Sequence, residues 1–107
     1  MDLPIIFAAD TNLRPEMDGF KHLLTKFEDS FELKENFEMI RNSDTTIHDS
    51  CNLEKATIFP ECRVDHVLLS KRHRWKVSNW AVDQFKYGKK HRFTSDHRAI
   101  FVDLEFQ

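Results

Sequence analysis

Ile5-Ile6-Phe7-Ala8-Ala9-Asp10-Thr11-Asn12-Leu13-Arg14 is an apolar run that turns polar at a single residue, Asp10. From Leu3 to Ala9 no side chain is polar, which predicts a strand covered on both faces. Asp10 to Arg14 then form the loop at its carboxyl end. The other end of the chain mirrors this arrangement, with Ser95-Asp96-His97 standing just before an alternating strand from Ala99 to Phe106. A carboxylate and an amide after one strand, and a carboxylate and an imidazole before another, suit attack of water on a phosphodiester. The carboxylate orients and deprotonates water, the amide holds a phosphoryl oxygen, and the imidazole stabilises developing charge. Two such strands in one sheet would bring the groups together across the intervening sequence.

Working outward, Pro15 suits a first helical turn, with Glu16 and Asp18 well placed against the helix dipole. Met17, Phe20, Leu24 and Phe27 recur at helical spacing beside Leu23, so one helix with a core-facing stripe is expected there. A turn is read at Glu28 to Ser30, and helix from there towards Ile40. Residues 41–59 read as polar loop with a short strand at Thr45 to His48. Strands are expected over residues 63–70 and 76–85. In the last strand Ile100, Val102, Leu104 and Phe106 share one face, with Asp103 and Glu105 on the other and Phe101 as the exception.

Composition excludes several classes. The chain has 107 residues, enough for one domain with its own core. No run of apolar residues is long enough to span a membrane, and no basic-then-apolar leader precedes the first strand. The two cysteines, Cys51 and Cys62, do not make a disulfide framework and point to an intracellular setting, nucleus or cytoplasm. The net charge of −2 hides an asymmetry: residues 1–62 carry 6 Lys/Arg against 13 Asp/Glu, residues 63–107 carry 10 against 5. Lys71-Arg72-His73-Arg74-Trp75-Lys76 and Lys86-Tyr87-Gly88-Lys89-Lys90-His91-Arg92 concentrate the positive charge. Such clusters are usually solvated surface, and with interleaved aromatics they also suit nucleic acid.

Residues 5–14 resemble the apolar strand and Gly-Asp-x-Asn motif of the endonuclease/exonuclease/phosphatase superfamily, with Ala9 in place of the glycine. Ser95-Asp96-His97 is similar to its terminal Ser-Asp-His, and Arg63-Val64-Asp65-His66 to its Arg-Ile-Asp-Tyr strand. Within the superfamily, Asp10-Thr11-Asn12-Leu13-Arg14 and Arg92-Phe93 look closest to 5′-tyrosyl-DNA phosphodiesterases, although Thr46-Ile47-His48-Asp49 lacks the aromatic of their Thr-Trp-Asp-Thr. The resemblance implies an α/β (α+β) chain forming half of a two-sheet, four-layer sandwich of the DNase I-like type. It makes residues 1–107 the C-terminal portion of that domain, without the N-terminal half and its metal-binding Glu. It implies Mg²⁺- or Mn²⁺-dependent hydrolysis of a phosphodiester, on nucleic-acid ends or 5′-phosphotyrosyl-DNA links. Asp10 would then activate water, Asn12 hold a phosphate oxygen, and His97 donate to the phosphoryl group. Asp65 would fix the His97 imidazole through a hydrogen bond, Asp96 with Asp10 would hold the metal, and Leu13 and Arg14 with Asn12 and His97 would contact substrate. Partners would be DNA or another phosphodiester, no membrane, and either the missing half or a second copy to cover the exposed sheet face. With half the site missing, the chain alone is expected to be inactive.

Two other readings of the residues stand beside this one. His48-x-x-Cys51 with Cys62-x-x-x-His66 has the atom types for zinc, though with looser spacing than a Cys-x-x-Cys pair. A truncated, non-catalytic paralogue that binds nucleic acid or a partner chain would keep the same sheets. A serine-hydrolase reading of Ser95-Asp96-His97 fails because neighbours on an extended segment do not face each other.

Overall fold

The computed structural model describes residues 3–40, 63–83 and 99–107. Six strands and two short helices follow in the order β1 (Ile6–Asp10), α1 (Asp18–Leu23), β2 (Phe27–Asp29), α2 (Ser30–Leu33), β3 (Phe37–Ile40), β4 (Asp65–Ser70), β5 (Trp75–Asp83) and β6 (Ala99–Phe106). They make two three-stranded sheets, ordered β1-β4-β2 and β3-β5-β6. The first is wholly antiparallel, while the second joins a parallel β3–β5 pair to the long antiparallel β5–β6 pair.

In β5 a bulge between Val77 and Asn79 interrupts the alternation, and Val77, Trp80, Ala81 and Val82 are all buried. Phe31, Trp80 and Val82 form the core cluster, and Ile100 and Val102 of β6 pack against it. Phe31 meets Trp80 edge-on, with ring centroids 4.9 Å apart, a favoured aromatic geometry. β6 keeps the alternation read from sequence at Ile100, Val102 and Leu104, with Phe101 exposed on the outer face, but Phe106, expected on the core face, is exposed as well.

The first half of the chain departs from the periodicity. α1 begins at Asp18 rather than at Pro15, and Phe27 belongs to β2, so the expected four-residue stripe breaks after Leu24. The segment expected to be turn and then helix is strand, one helical turn, and strand again. The cause is tertiary: Asp29 ends β2, caps α2 by accepting from Phe31 N at 3.0 Å, and pairs with Arg63. Propensity yields to such anchors.

β1 also corrects an expectation. It is an edge strand, not a strand covered on both faces: Leu3, Ile5, Ile6 and Phe7 are 66, 52, 54 and 39% exposed. Phe7 touches Phe27 at 5.9 Å between centroids, and β4 is the sole strand paired with β1 among the described residues. No helix of the described residues is long and apolar enough to cross a membrane. The strand expected at Thr45 to His48 lies outside the described residues.

Candidate functional site

The antiparallel β1–β4 register sets Ile6 opposite Leu69, Ala9 opposite His66 and Asp10 opposite Asp65. Residues directly opposite in such a pair project to the same face with Cβ atoms about 4.5–5.5 Å apart. Two carboxylates 55 positions apart in sequence thus share one face at one end of the first sheet. Asp65 is half-buried.

The loop after β1 is tied at several points. Asp10 Oδ1 accepts from Asn12 N at 2.9 Å, and Asn12 adopts a left-handed backbone with φ 53°. Among residues with a Cβ, asparagine is one of the few that tolerates this conformation. Thr11 donates from N and from Oγ1 to Val64 O at 3.0 and 3.1 Å, and its Oγ1 accepts from Leu13 N at 3.1 Å. His66 Nε2 donates to Leu13 O at 2.7 Å. Gly19 lets α1 approach, since a Cβ there would lie 3.1 Å from both Leu13 methyls. Thr11 and His66 lie within the motifs but were given no part in holding this loop, His66 being read only as a candidate zinc ligand; their signal is position, next to the loop's carboxylate and on the strand opposite it.

Arg14 forms an exposed ion pair with Glu16 at 3.1 Å, so a phosphate would compete with that carboxylate for its guanidinium. His66 is 2% exposed and packs on Phe20 with centroids 4.3 Å apart. Burial holds its pKa below the ordinary histidine value, against the opposing pull of Leu13 O, Asp29 and Asp65. Beneath the loop, Arg63 and Asp29 form a buried ion pair at 2.7 Å, and the guanidinium lies 3.9 Å from the Phe31 ring centroid. Sequence reading placed Asp29 in a turn and gave it no partner.

Asp96 and His97 lie outside the described residues, as do His48, Cys51, Cys62 and residues 86–92; the Asp65–His97 hydrogen bond and the zinc constellation fall there too. Ala99, two positions after His97, stands opposite Asp83 at the end of the second sheet remote from the turn at residues 71–74. The Asp10–Asp65 end of the first sheet is likewise remote from that turn. The Lys71–Arg72 cluster therefore sits at the far end from the paired carboxylates. There it borders an open groove of about 510 Å³ with Leu3, Ile5, Lys26, Phe27 and His73.

As to metal, Asp10 and Asp65 offer hard oxygen donors of the kind Mg²⁺ and Mn²⁺ take. Among the described residues no group of three or more His, Cys, Asp or Glu side chains gathers as a metal cage. Any such ion would draw on Asp10 together with ligands beyond these.

Comparison with solved structures fixes the fold. The chain aligns over 97% of its length with an endonuclease/exonuclease/phosphatase from Bacteroides vulgatus, at TM-score 0.72 and 18% identity. It aligns over 98% with a mannosyl-6-phosphatase from Bacteroides thetaiotaomicron, at TM-score 0.71 and 23% identity. A protein of unknown function from Enterococcus faecalis aligns over 97%, at TM-score 0.68 and 17% identity. The chain has the fold of part of a DNase I-like α/β sandwich. It spans 37%, 39% and 37% of those three chains. No protein-family model and no curated protein sequence matches it.

Proposed function

We propose that this chain carries part of the active site of a divalent-metal-dependent phosphoester hydrolase. The observation that carries the reading is the register that sets Asp10 opposite Asp65, beside a loop that holds Asn12 in a left-handed conformation. The shared fold with a family of that name and with a sugar phosphatase supports it. In this reading the Asp10 carboxylate orients water and takes its proton, and the Asn12 amide donates to a non-bridging phosphoryl oxygen. Asp65 accepts from one ring nitrogen of His97, whose other nitrogen donates to the phosphoryl group. Asp10 and Asp96 would hold Mg²⁺ or Mn²⁺, which would supply charge neutralisation at the phosphate.

The substrate is a phosphodiester on a nucleic-acid end, with a 5′-phosphotyrosyl link as the narrowest version carried by Asp10-Thr11-Asn12-Leu13-Arg14. The remainder of such a sandwich, on the same polypeptide or another, or a second copy of this chain, covers exposed β1. That exposure favours a second reading: a non-catalytic paralogue that binds nucleic acid or a partner.

Trace Mn²⁺ added to the ¹⁵N-labelled chain tests the hydrolase reading through paramagnetic broadening. Amide signals of Asp10 to Leu13 and of Asp65 should broaden first, and Asp10→Asn should abolish the effect. Broadening confined to other acidic residues, and unchanged by Asp10→Asn, would remove the metal site and leave the non-catalytic reading.

A further inference from the structure

We propose that His66 is the positioning residue of the candidate site, bracing the Asp10–Leu13 loop from the core side of the sheet; this rests on the reading of that loop as catalytic. Adjacent strand residues point to opposite faces. Asp65, opposite Asp10, faces the proposed site, while His66, opposite Ala9, faces inward to α1 and Phe20. One strand thus serves the loop twice, once with a functional carboxylate and once with a brace.

The chemistry of the brace is fixed by its partner. Leu13 O is a carbonyl and can only accept, so the 2.7 Å contact requires a proton on Nε2. The ring is then the Nε2–H tautomer, with a lone pair on Nδ1. Nδ1 is buried and has no hydrogen-bond partner among the described residues. Leaving a buried nitrogen unmatched is unfavourable, and an apolar ring in the same place would avoid it while keeping the packing on Phe20. What the imidazole adds over such a ring is the single hydrogen bond to the loop.

That bond bears on Asn12. Leu13 O is the next carbonyl after the one left-handed non-glycine residue among those described, and the neighbouring ties run through Asp10 Oδ1, Thr11 Oγ1 and Val64 O. The His66 bond is the one that ties Leu13 O to the rigid sheet. Without it, the ties that remain on this loop among the described residues run through Asp10 and Thr11.

The test uses the 107-residue chain itself. Long-range ¹H–¹⁵N correlation of the His66 ring at pH 7.5 should show Nε2 protonated and Nδ1 bare. The opposite tautomer, or an averaged ring, would overturn the proposal without any variant. Amide exchange is then compared in His66→Phe, which keeps the ring packing, and His66→Gln, which keeps an N–H donor. In His66→Phe, exchange at Asn12 and Leu13 should rise at least ten-fold while the β4 amides stay within two-fold, and His66→Gln should restore part of the loop protection. A uniform rise over β4 and the loop, or no rise at the loop, would reduce His66 to a core residue. Neither readout needs turnover or metal, so failure of the hydrolase reading shows separately in the Mn²⁺ experiment.

Discussion

Asp29→Asn is the substitution whose consequence follows most directly from the structure. The carboxylate lies 2.7 Å from Arg63 Nη2, and the two side chains are 4% and 1% exposed, so solvent screens the pair very little. Asparagine keeps an oxygen that accepts from Phe31 N and so preserves the cap of α2. What it removes is the charge opposite a buried guanidinium. Breaking one partner of a buried pair costs about 3–5 kcal/mol, since the remaining charge stays desolvated. A domain of this size holds about 5–15 kcal/mol in all. With a urea slope of about 2 kcal/mol per M, the midpoint should fall by roughly 2 M. The assay is equilibrium urea unfolding followed by tryptophan fluorescence, since Trp80 is buried in the adjoining core cluster. Asp29→Ala should cost about 1 kcal/mol more, by loss of the cap. Adding Arg63→Met to Asp29→Asn should recover most of the loss, because no buried charge is then left over. A midpoint for Asp29→Asn within roughly 0.5 M of the parent, at unchanged slope, would refute the claim that the pair is desolvated.

Three further outcomes are expected. Because burial lowers the folded-state pKa of His66 beneath its unfolded value of about 6.5, stability should be full above that pH and decline as pH falls towards the folded value, in the presence of Asp29, Arg63 and Asp65 around the ring; His66→Phe should flatten this part of a pH-resolved unfolding series. The purified chain should show no appreciable Mg²⁺-dependent turnover of a nitrophenyl phosphodiester or a DNA oligonucleotide, since loss of one charge-stabilising group already costs about 10²–10³ in rate; turnover that disappears in His97→Ala would show this part to be self-sufficient. Ile6→Lys, on an edge strand whose isoleucine is 54% exposed, should change stability by less than about 0.5 kcal/mol and reduce light scattering, whereas a large loss of stability would mean that this face is buried by association in solution.

The three motif strands and their order were legible because each rests on local pattern. β6 alternates cleanly, β4 concentrates Val67, Leu68 and Leu69, and the polar break at Asp10 marks the end of β1. Residues 24–40 were not legible. Their course is set by Asp29, whose partner Arg63 lies 34 positions away, and by Phe37 pairing in parallel with Trp80. Periodicity sees neither. Within the candidate site, Asp10, Asn12 and Asp65 were picked out by their motifs, yet the register that sets Asp10 opposite Asp65 is a product of sheet pairing. His66 read as a spare zinc ligand because spacing reports atom types and is silent on the Leu13 carbonyl that occupies its nitrogen.

The β1–β4 pairing also carries a kinetic consequence. Asp10 meets Asp65 only after the chain has closed a loop of more than fifty residues, and the entropy of such closure must be met before the pairing gives anything back. On a ribosome, β1 cannot meet β4 until the stretch ending at Ser70 has cleared the tunnel. The Asp10–Asp65 pairing therefore forms later than α1, whose hydrogen bonds close within a few residues. Slowing translation between residues 40 and 65 should prolong the interval before this pairing and lower the yield of folded protein.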